Sequence, residues 1–323
     1  MVDTVKTVMP SGGDYSSSSA WEAGQQKVIS SGDVEIAEPY DFVDTTAVVI
    51  DGWTTAADAY IVMRTPLTER HTGIRGTGYR LEVNGASAIL NFESYVRLEG
   101  LALKGYNSAS ADGYYFSWSA SLPSDIRIEG CLAYDCGRHG LHLGEGTYKA
   151  SANICIGNTT NGIHFEFENA SGTGYLYNNT CAANGAYGIR NSLGTVHAKN
   201  NYSGGNTTAD YNGTFSTNTK NGSSDTTGSA SYQSIAYSTS AGGYFNNVTA
   251  GSENLHIGAS SALAGVGDDL SADASYPITK DVDGATITSW PIGADEYVAA
   301  GGGVFIKMVG NNFRLAGNGG LAS

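Results

Sequence analysis

Gly140-Leu141-His142-Leu143, Gly162-Ile163-His164-Phe165 and Gly188-Ile189-Arg190 write one short phrase three times. Its aliphatic step sits at 141, 163 and 189, at intervals of 22 and 26 residues. Asparagine and cysteine keep the same register, since Asn153 and Asn179 are 26 apart and so are Cys155 and Cys181. A period in the twenties, with short alternating strands between polar turns, is the mark of a solenoid whose coils stack on one another. Side chains alternate across a strand, so Leu141, Leu143, Ile163, Phe165, Phe167 and Ile189 are assigned to the inside. His142, His164 and Arg190 then form an outward column, continued by Glu166 and Glu168. Strands of adjacent coils lie about 4.8 Å apart, which brings these side chains within reach of one another. Asn153 and Asn179 fall in turns, where stacked amides satisfy buried backbone groups.

The pattern extends outward from this stretch. Val96-Arg97-Leu98-Glu99-Gly100 returns thirty residues later as Ile126-Arg127-Ile128-Glu129-Gly130, and the surplus length predicts a loop over Asn107 to Ser121. That loop carries Tyr114, Tyr115, Phe116 and Trp118. Short strands are expected at 47–50, 60–63, 79–83 and 96–101, each bounded by Gly, Asn, Asp or Pro. Between them, residues 65–78 hold Arg70, His71 and Arg75 and read as a solvated loop. Residues 206–240, dominated by Thr, Ser, Asn and Gly, read as irregular turns with weak strands, an excursion from the coil.

Composition agrees with many tight turns: 323 residues include 44 glycines but only six prolines. At 41% hydrophobic the chain can build a core. Seventeen basic against thirty-one acidic residues leave a net charge of −14, which argues against a basic nucleic-acid face. No apolar run reaches the roughly 18 residues of a membrane span, and Met1 to Met9 lacks the apolar stretch of an export signal. Cys131, Cys136, Cys155 and Cys181 show no CxxC spacing, so zinc is not indicated, and no metal or other cofactor is expected. Packing as small inward hydrophobes is one reading of them; a disulfide between Cys155 and Cys181 on adjacent coils is the other.

The ends read as caps and attachments. Thr4 to Val8 alternates as a first strand, and Ser16 to Ser19 offer an N-cap to a short helix over 19–26 that would plug the open end of the coil. Residues 1–50 are thus a cap with the first strands, and 51–297 the coil with its closing segment. After a linker at Gly301-Gly302-Gly303, Val304, Phe305, Ile306 and Met308 and then Phe313 and Leu315 form an apolar tail, split by Gly310-Asn311-Asn312 as in a hairpin. Residues 298–323 therefore read as a unit for attachment or self-association.

These features together resemble the right-handed parallel β-helix repeat proteins of the pectate-lyase-like superfamily. The opening Ser11-Gly12-Gly13-Asp14-Tyr15 with Ser19-Ala20-Trp21-Glu22-Ala23 is similar to their N-terminal cap. Asn254-Leu255-His256-Ile257, Asp281-Val282-Asp283-Gly284 and Ile292-Gly293-Ala294-Asp295-Glu296-Tyr297 are similar to a closing signature of such proteins. The resemblance covers most of residues 1–297 and implies an all-β, right-handed parallel β-helix with a short capping helix and a C-terminal β tail.

For function it implies two classes. Tailed bacteriophages use such coils as capsid decorations, spikes and fibres. A virion-surface structural protein is the leading expectation, non-catalytic, partnered by other virion proteins or by itself as a homo-oligomer such as a trimer, and able to bind glycans. An extracellular polysaccharide lyase or glycoside hydrolase acting on a lateral face is the alternative. A lyase needs a base beside a neutralised uronate carboxylate, for which His142, His164 and Arg190 are candidates with Glu166. A hydrolase needs two separated carboxylates, drawn from Glu166, Glu168, Asp135 and Glu145. Tyr114, Tyr115 and Trp118 are the candidates to stack on sugar rings.

Overall fold

One coil runs through the strands Leu141–Leu143, Thr147–Ser151 and Ile154–Ile156, and the next begins at Ile163–Phe165. The strands of these coils pair in parallel with their counterparts one coil on: Leu141 with Ile163 and then Ile189, Cys155 with Cys181 and then Ser203. The computed structural model describes residues 2–116, 124–166, 172–240 and 245–298, with the backbone of 306–309 and 312–315. Among these residues the repetition yields parallel sheets of nine, seven and eight strands. The result is a parallel β-helix, wound in the right-handed sense that parallel crossovers take.

The inward residues named from alternation fill its axis. Leu141, Leu143, Ile163, Phe165 and Ile189 are fully buried, and Phe167 lies outside the described residues. All four cysteines are free and buried, so the packing reading holds and Cys155 is not bonded to Cys181. Leaving the nine-stranded sheet, each coil turns on one residue of positive φ: Gly130, Ala152, Asn178 and Asn200. Asparagine tolerates that region and glycine has no Cβ to clash there. The next position carries the amide ladder. Asn153, Asn179 and Asn201 donate from Nδ2 to Oδ1 of the asparagine one coil on, at 2.9, 2.9 and 2.8 Å, the last reaching Asn221. A second ladder, Asn158–Asn184–Asn206, stands at the following corner with 2.9 Å rungs.

The N-terminal helix spans Ser18–Gln25, one residue earlier than expected, because Ser17 is the residue that accepts the N–H of Ala20. Trp21 is fully buried and packs against Trp53 with ring centroids 5.6 Å apart, which plugs the first coil. Strand Val2–Val8 lies parallel to Asp33–Pro39 at the edge of the nine-stranded sheet.

Three expectations are corrected. The loop expected over 107–121 contains the strand Tyr114–Phe116, paired in parallel with Ile89–Asn91 and with Leu141–Leu143 in the seven-stranded sheet. In residues 206–240 the expected strands do not leave the coil: Ala209–Asn212, Thr217–Thr219 and Gly222–Ser223 add a further rung to each sheet. Tyr211 takes the inward place that Ile189 holds one coil earlier, so a hydroxylated aromatic hid the alternation. The loop at 65–78 is not simply solvated. His71 is buried with Nε2 2.9 Å from the Gly130 carbonyl, and Arg75 pairs with both Asp135 and Glu253.

Glu253 belongs to residues 245–297, which run alongside the coil instead of across its end. Asn178 donates to the carbonyls of Pro291 and Gly293, Tyr276 meets Ser151 at 2.7 Å, and Lys199 pairs with Asp273 at 2.6 Å. The closing segment therefore seals the corner where the backbone turns left-handed. In the tail, Ile306–Val309 and Asn312–Leu315 pair as an antiparallel hairpin. Val304 and Phe305 lie outside the described residues, and of Ile306, Met308, Phe313 and Leu315 only the backbone is described.

Candidate functional site

The outward column exists on the seven-stranded sheet. Tyr115, His142, His164 and Arg190 occupy one register row across four coils. His142 and His164 stack with ring centroids 5.3 Å apart and planes within 11°. Outward did not mean solvated, however, because both imidazoles are buried, at 4% and 3% exposure. Neighbours that the alternation rule does not see cover them.

Those neighbours come from the residue before each repeated glycine. Asp112 precedes Gly113, His139 precedes Gly140 and Asn161 precedes Gly162. They form a second column at the sheet entrance, and Asp112 and His139 turn toward His142. Asp112 is fully buried, holds the Arg138 guanidinium by two hydrogen bonds and accepts the His139 backbone N–H at 2.8 Å. Asp112, Arg138 and His139 were missed from the sequence, although the position before the glycine recurs as regularly as the position after it.

The hydrogen bonds set the direction of the protons. The Asn161 backbone N–H donates to His139 Nδ1 at 3.3 Å, so neutral His139 carries its proton on Nε2. That nitrogen lies 3.2 Å from His164 Nδ1 and donates to it, which leaves the His164 proton on Nε2, 2.9 Å from Ser192 Oγ. Arg138 donates to His142 Nδ1 at 2.9 Å, and His142 Nε2–H donates to Glu166 at 2.8 Å. Burial, reinforced by the neighbouring imidazole and arginine charges, pushes His139 and His164 down to about 2. They are neutral, with both lone pairs occupied by neighbours.

Glu166 is the group that remains available. Its side chain is about half exposed and touches His142 while standing 4.0 Å from His164. Arg190 pairs in register with His164 on the next strand and sets its guanidinium 5.5 Å over the Tyr187 ring, with an Nε that is buried and has no hydrogen-bond partner among the described residues. Tyr115 lays its ring 5.0 Å from that of His142, with the Arg138 guanidinium 5.3 Å over it. The site thus offers an oriented carboxylate, a cation on the neighbouring strand and an aromatic rim.

The other predicted residues separate from this cluster. Tyr114 is fully buried with its hydroxyl on Asn91, so it cannot stack on a sugar. Asp135 is engaged by Arg75 and Lys104 at the margin of the eight-stranded sheet. Glu145 follows strand Leu141–Leu143 and is partly buried. Trp118 and Glu168 lie outside the described residues. A separate hollow of about 340 Å³ sits between the closing segment and the nine-stranded sheet, lined in part by Arg70, Glu99, Arg127 and Glu129. Glu129 is already held there by the Tyr276 hydroxyl at 2.6 Å.

No family model matches the chain, and no curated protein matches it. Two solved structures are similar to it. One is the pectin methylesterase from Aspergillus niger in deglycosylated form, 11% identical, covering 73% of this chain and 90% of that one at a TM-score of 0.45. The other is the pectate lyase Pel9A, 14% identical, covering 91% and 97% at a TM-score of 0.41. At this level of similarity neither bears on substrate or catalytic residues.

Proposed function

We propose that the chain cleaves an acidic, uronate-containing polysaccharide by elimination on the lateral face around Glu166. The observation that supports it is the half-exposed Glu166 carboxylate, aimed by a buried His142, with Arg190 one coil on in register with His164. In this reading Glu166 removes the proton on the sugar carbon next to the uronate carboxylate. The electron pair forms the carbon–carbon double bond, the glycosidic carbon–oxygen bond breaks, and the departing oxygen takes a proton from solvent. Arg190 neutralises the uronate carboxylate, which is what makes that carbon acidic enough. Tyr115 supplies a ring face for the sugar.

A panel of uronate polysaccharides, followed by unsaturated-product absorbance and reducing ends, tests this. Wild-type activity lost in Glu166→Gln supports it, and silence across the panel rejects it.

A second reading keeps the coil as a non-catalytic virion-surface protein that binds glycans and is mounted through its tail. It is favoured by the hairpin at 306–315, whose two strands form a sheet of their own after a glycine-rich linker. Deleting residues 301–323 should then abolish self-association or particle attachment, measured by light scattering and co-sedimentation. Unchanged mass and attachment would reject it.

A further inference from the structure

We propose that His139, His142 and His164, with Glu166, form a binding site for one divalent transition metal of the zinc type. The site shares Glu166 with the elimination reading but stands on its own geometry and does not require a glycan. Candidate ligand atoms of the three histidines all lie within 4.8 Å of one another. Along the cluster, His139 Nε2 is 3.2 Å from His164 Nδ1, His142 Nε2 is 2.8 Å from the Glu166 carboxylate, and that carboxylate is 4.0 Å from His164 Nδ1. Ligands about 2.0–2.1 Å from a tetrahedral zinc are separated by about 3.3 Å. The spacings bracket that value, so modest side-chain movement closes the site.

The outer partners are in place as well. A ligating imidazole usually donates its other N–H to a carboxylate or another acceptor, which fixes its orientation. His164 already does so, with Nε2 on Ser192 Oγ at 2.9 Å and Nδ1 turned to the cluster. For His142 Nε2 to ligate, its proton moves to Nδ1, which must give up the 2.9 Å hydrogen bond from Arg138 and turn to the buried Asp112 carboxylate 3.4 Å away. His139 must likewise shift its proton to Nδ1 and give up the 3.3 Å contact from the Asn161 N–H, the longest hydrogen bond of the set apart from Asp112–His142. Three buried imidazole nitrogens and one half-exposed carboxylate oxygen suit zinc or cobalt better than calcium or magnesium, which prefer oxygen. Thiolate chemistry is not involved, because the cysteines face the core.

The test is titration of metal-stripped full-length protein with zinc chloride by calorimetry, and with cobalt(II) chloride by visible absorption. One zinc per chain and an intense tetrahedral cobalt band are expected. His164→Gln and His142→Gln should each weaken zinc at least about 100-fold, and Asp112→Asn about 10–100-fold as an outer partner. Should a variant fail to fold, zinc X-ray absorption on the wild type decides, with three imidazole ligands expected. Absence of stoichiometric zinc binding overturns the proposal, as does binding undiminished in a His139→Gln/His164→Gln double variant. Zinc bound without any glycan cleavage would reject the elimination reading and leave this one standing.

Discussion

Among the buried polar columns that run along this β-helix at the same period, two end differently. At the corner, Asn153, Asn179 and Asn201 each donate to the next asparagine and to the carbonyls of Ile128, Ala150 and Leu176. No atom of that ladder is left without a partner. On the seven-stranded sheet the histidine row does not close: His139, His142 and His164 are satisfied by one another and by Asn161 N–H, Arg138, Glu166 and Ser192, while Asn161 Nδ2 and Arg190 Nε are buried and have no hydrogen-bond partner among the described residues. Period alone therefore does not separate architecture from site. A buried polar column that satisfies itself holds coils together, and one that leaves donors over at a half-exposed carboxylate is built to meet something else.

Breaking the closed column should have the largest effect. Asn179→Ala removes the acceptor for the Asn153 N–H and Nδ2 and the donor to Ala150, stranding buried groups that each cost about 1–3 kcal/mol. A loss of about 4 kcal/mol in urea unfolding is expected, and a loss below about 1 kcal/mol would show that water enters the corner. In the open column, Glu166→Gln should leave stability nearly unchanged while cleavage falls about 10³-fold, the usual contribution of a positioned base. A large stability loss there, with activity intact, would reverse the assignment of the two columns.

Much of this was legible in the sequence because it is carried by residues in phase with the repeat. Leu141, Ile163 and Ile189 announce the coil, and Asn153 with Asn179 announce the ladder. His142, His164, Glu166 and Arg190 are legible for the same reason. What escaped depends on contacts across chain segments. Nothing local says that residues 245–297 will lie over the corner and bury His71, or that Asp112 will turn toward a histidine thirty residues on. The alternation rule also misjudged exposure: it tells which way His142 points, but not that Arg138, Tyr115 and Glu166 cover it.

The closing segment is a third case, satisfied but charged. His256 lies 3.0 Å from Asp283 and 3.9 Å from Asp295. Burial opposes the charge on His256, but the hydrogen bond to Asp283 and the fields of Asp295, Asp283 and Asp281 outweigh it and raise the imidazole from 6.5 to about 9. Burial lifts Asp295 from 3.8 to about 7 and, helped by the Asp283 charge, Asp281 from 3.8 to about 6. In all three the folded chain keeps its proton to a higher pH than the unfolded chain. Stability from His256 is thus complete below pH 6.5 and is lost as pH rises through about 9, while the two carboxyls lose theirs between about 4 and 7. Asp283, lowered by His256, acts oppositely and only in acid. Unfolding midpoints should therefore fall from pH 4 to 9. His256→Gln should cost roughly 2–3 kcal/mol at pH 6, with a deficit that vanishes above pH 9. A deficit independent of pH would mean that packing, and not charge, holds this segment.

The smallest effect belongs to Ser192, and it discriminates most sharply. An exposed serine hydroxyl 2.9 Å from a histidine invites a nucleophile assignment, with His164 as its base and His139 as the orienting group. A serine is activated only if the histidine presents a lone pair to its O–H. Here the Asn161 backbone N–H occupies His139 Nδ1, which places the His139 proton toward His164 and the His164 proton toward Ser192. Ser192 Oγ is the acceptor at the end of a one-way chain, and its position at the surface lets water replace it. Ser192→Ala should accordingly change cleavage by less than about 3-fold and stability by less than about 1 kcal/mol. A loss of about 10³-fold or more would mean that the proton order runs the other way, and the open column would then be read as a serine nucleophile site with Glu166 as its neighbour.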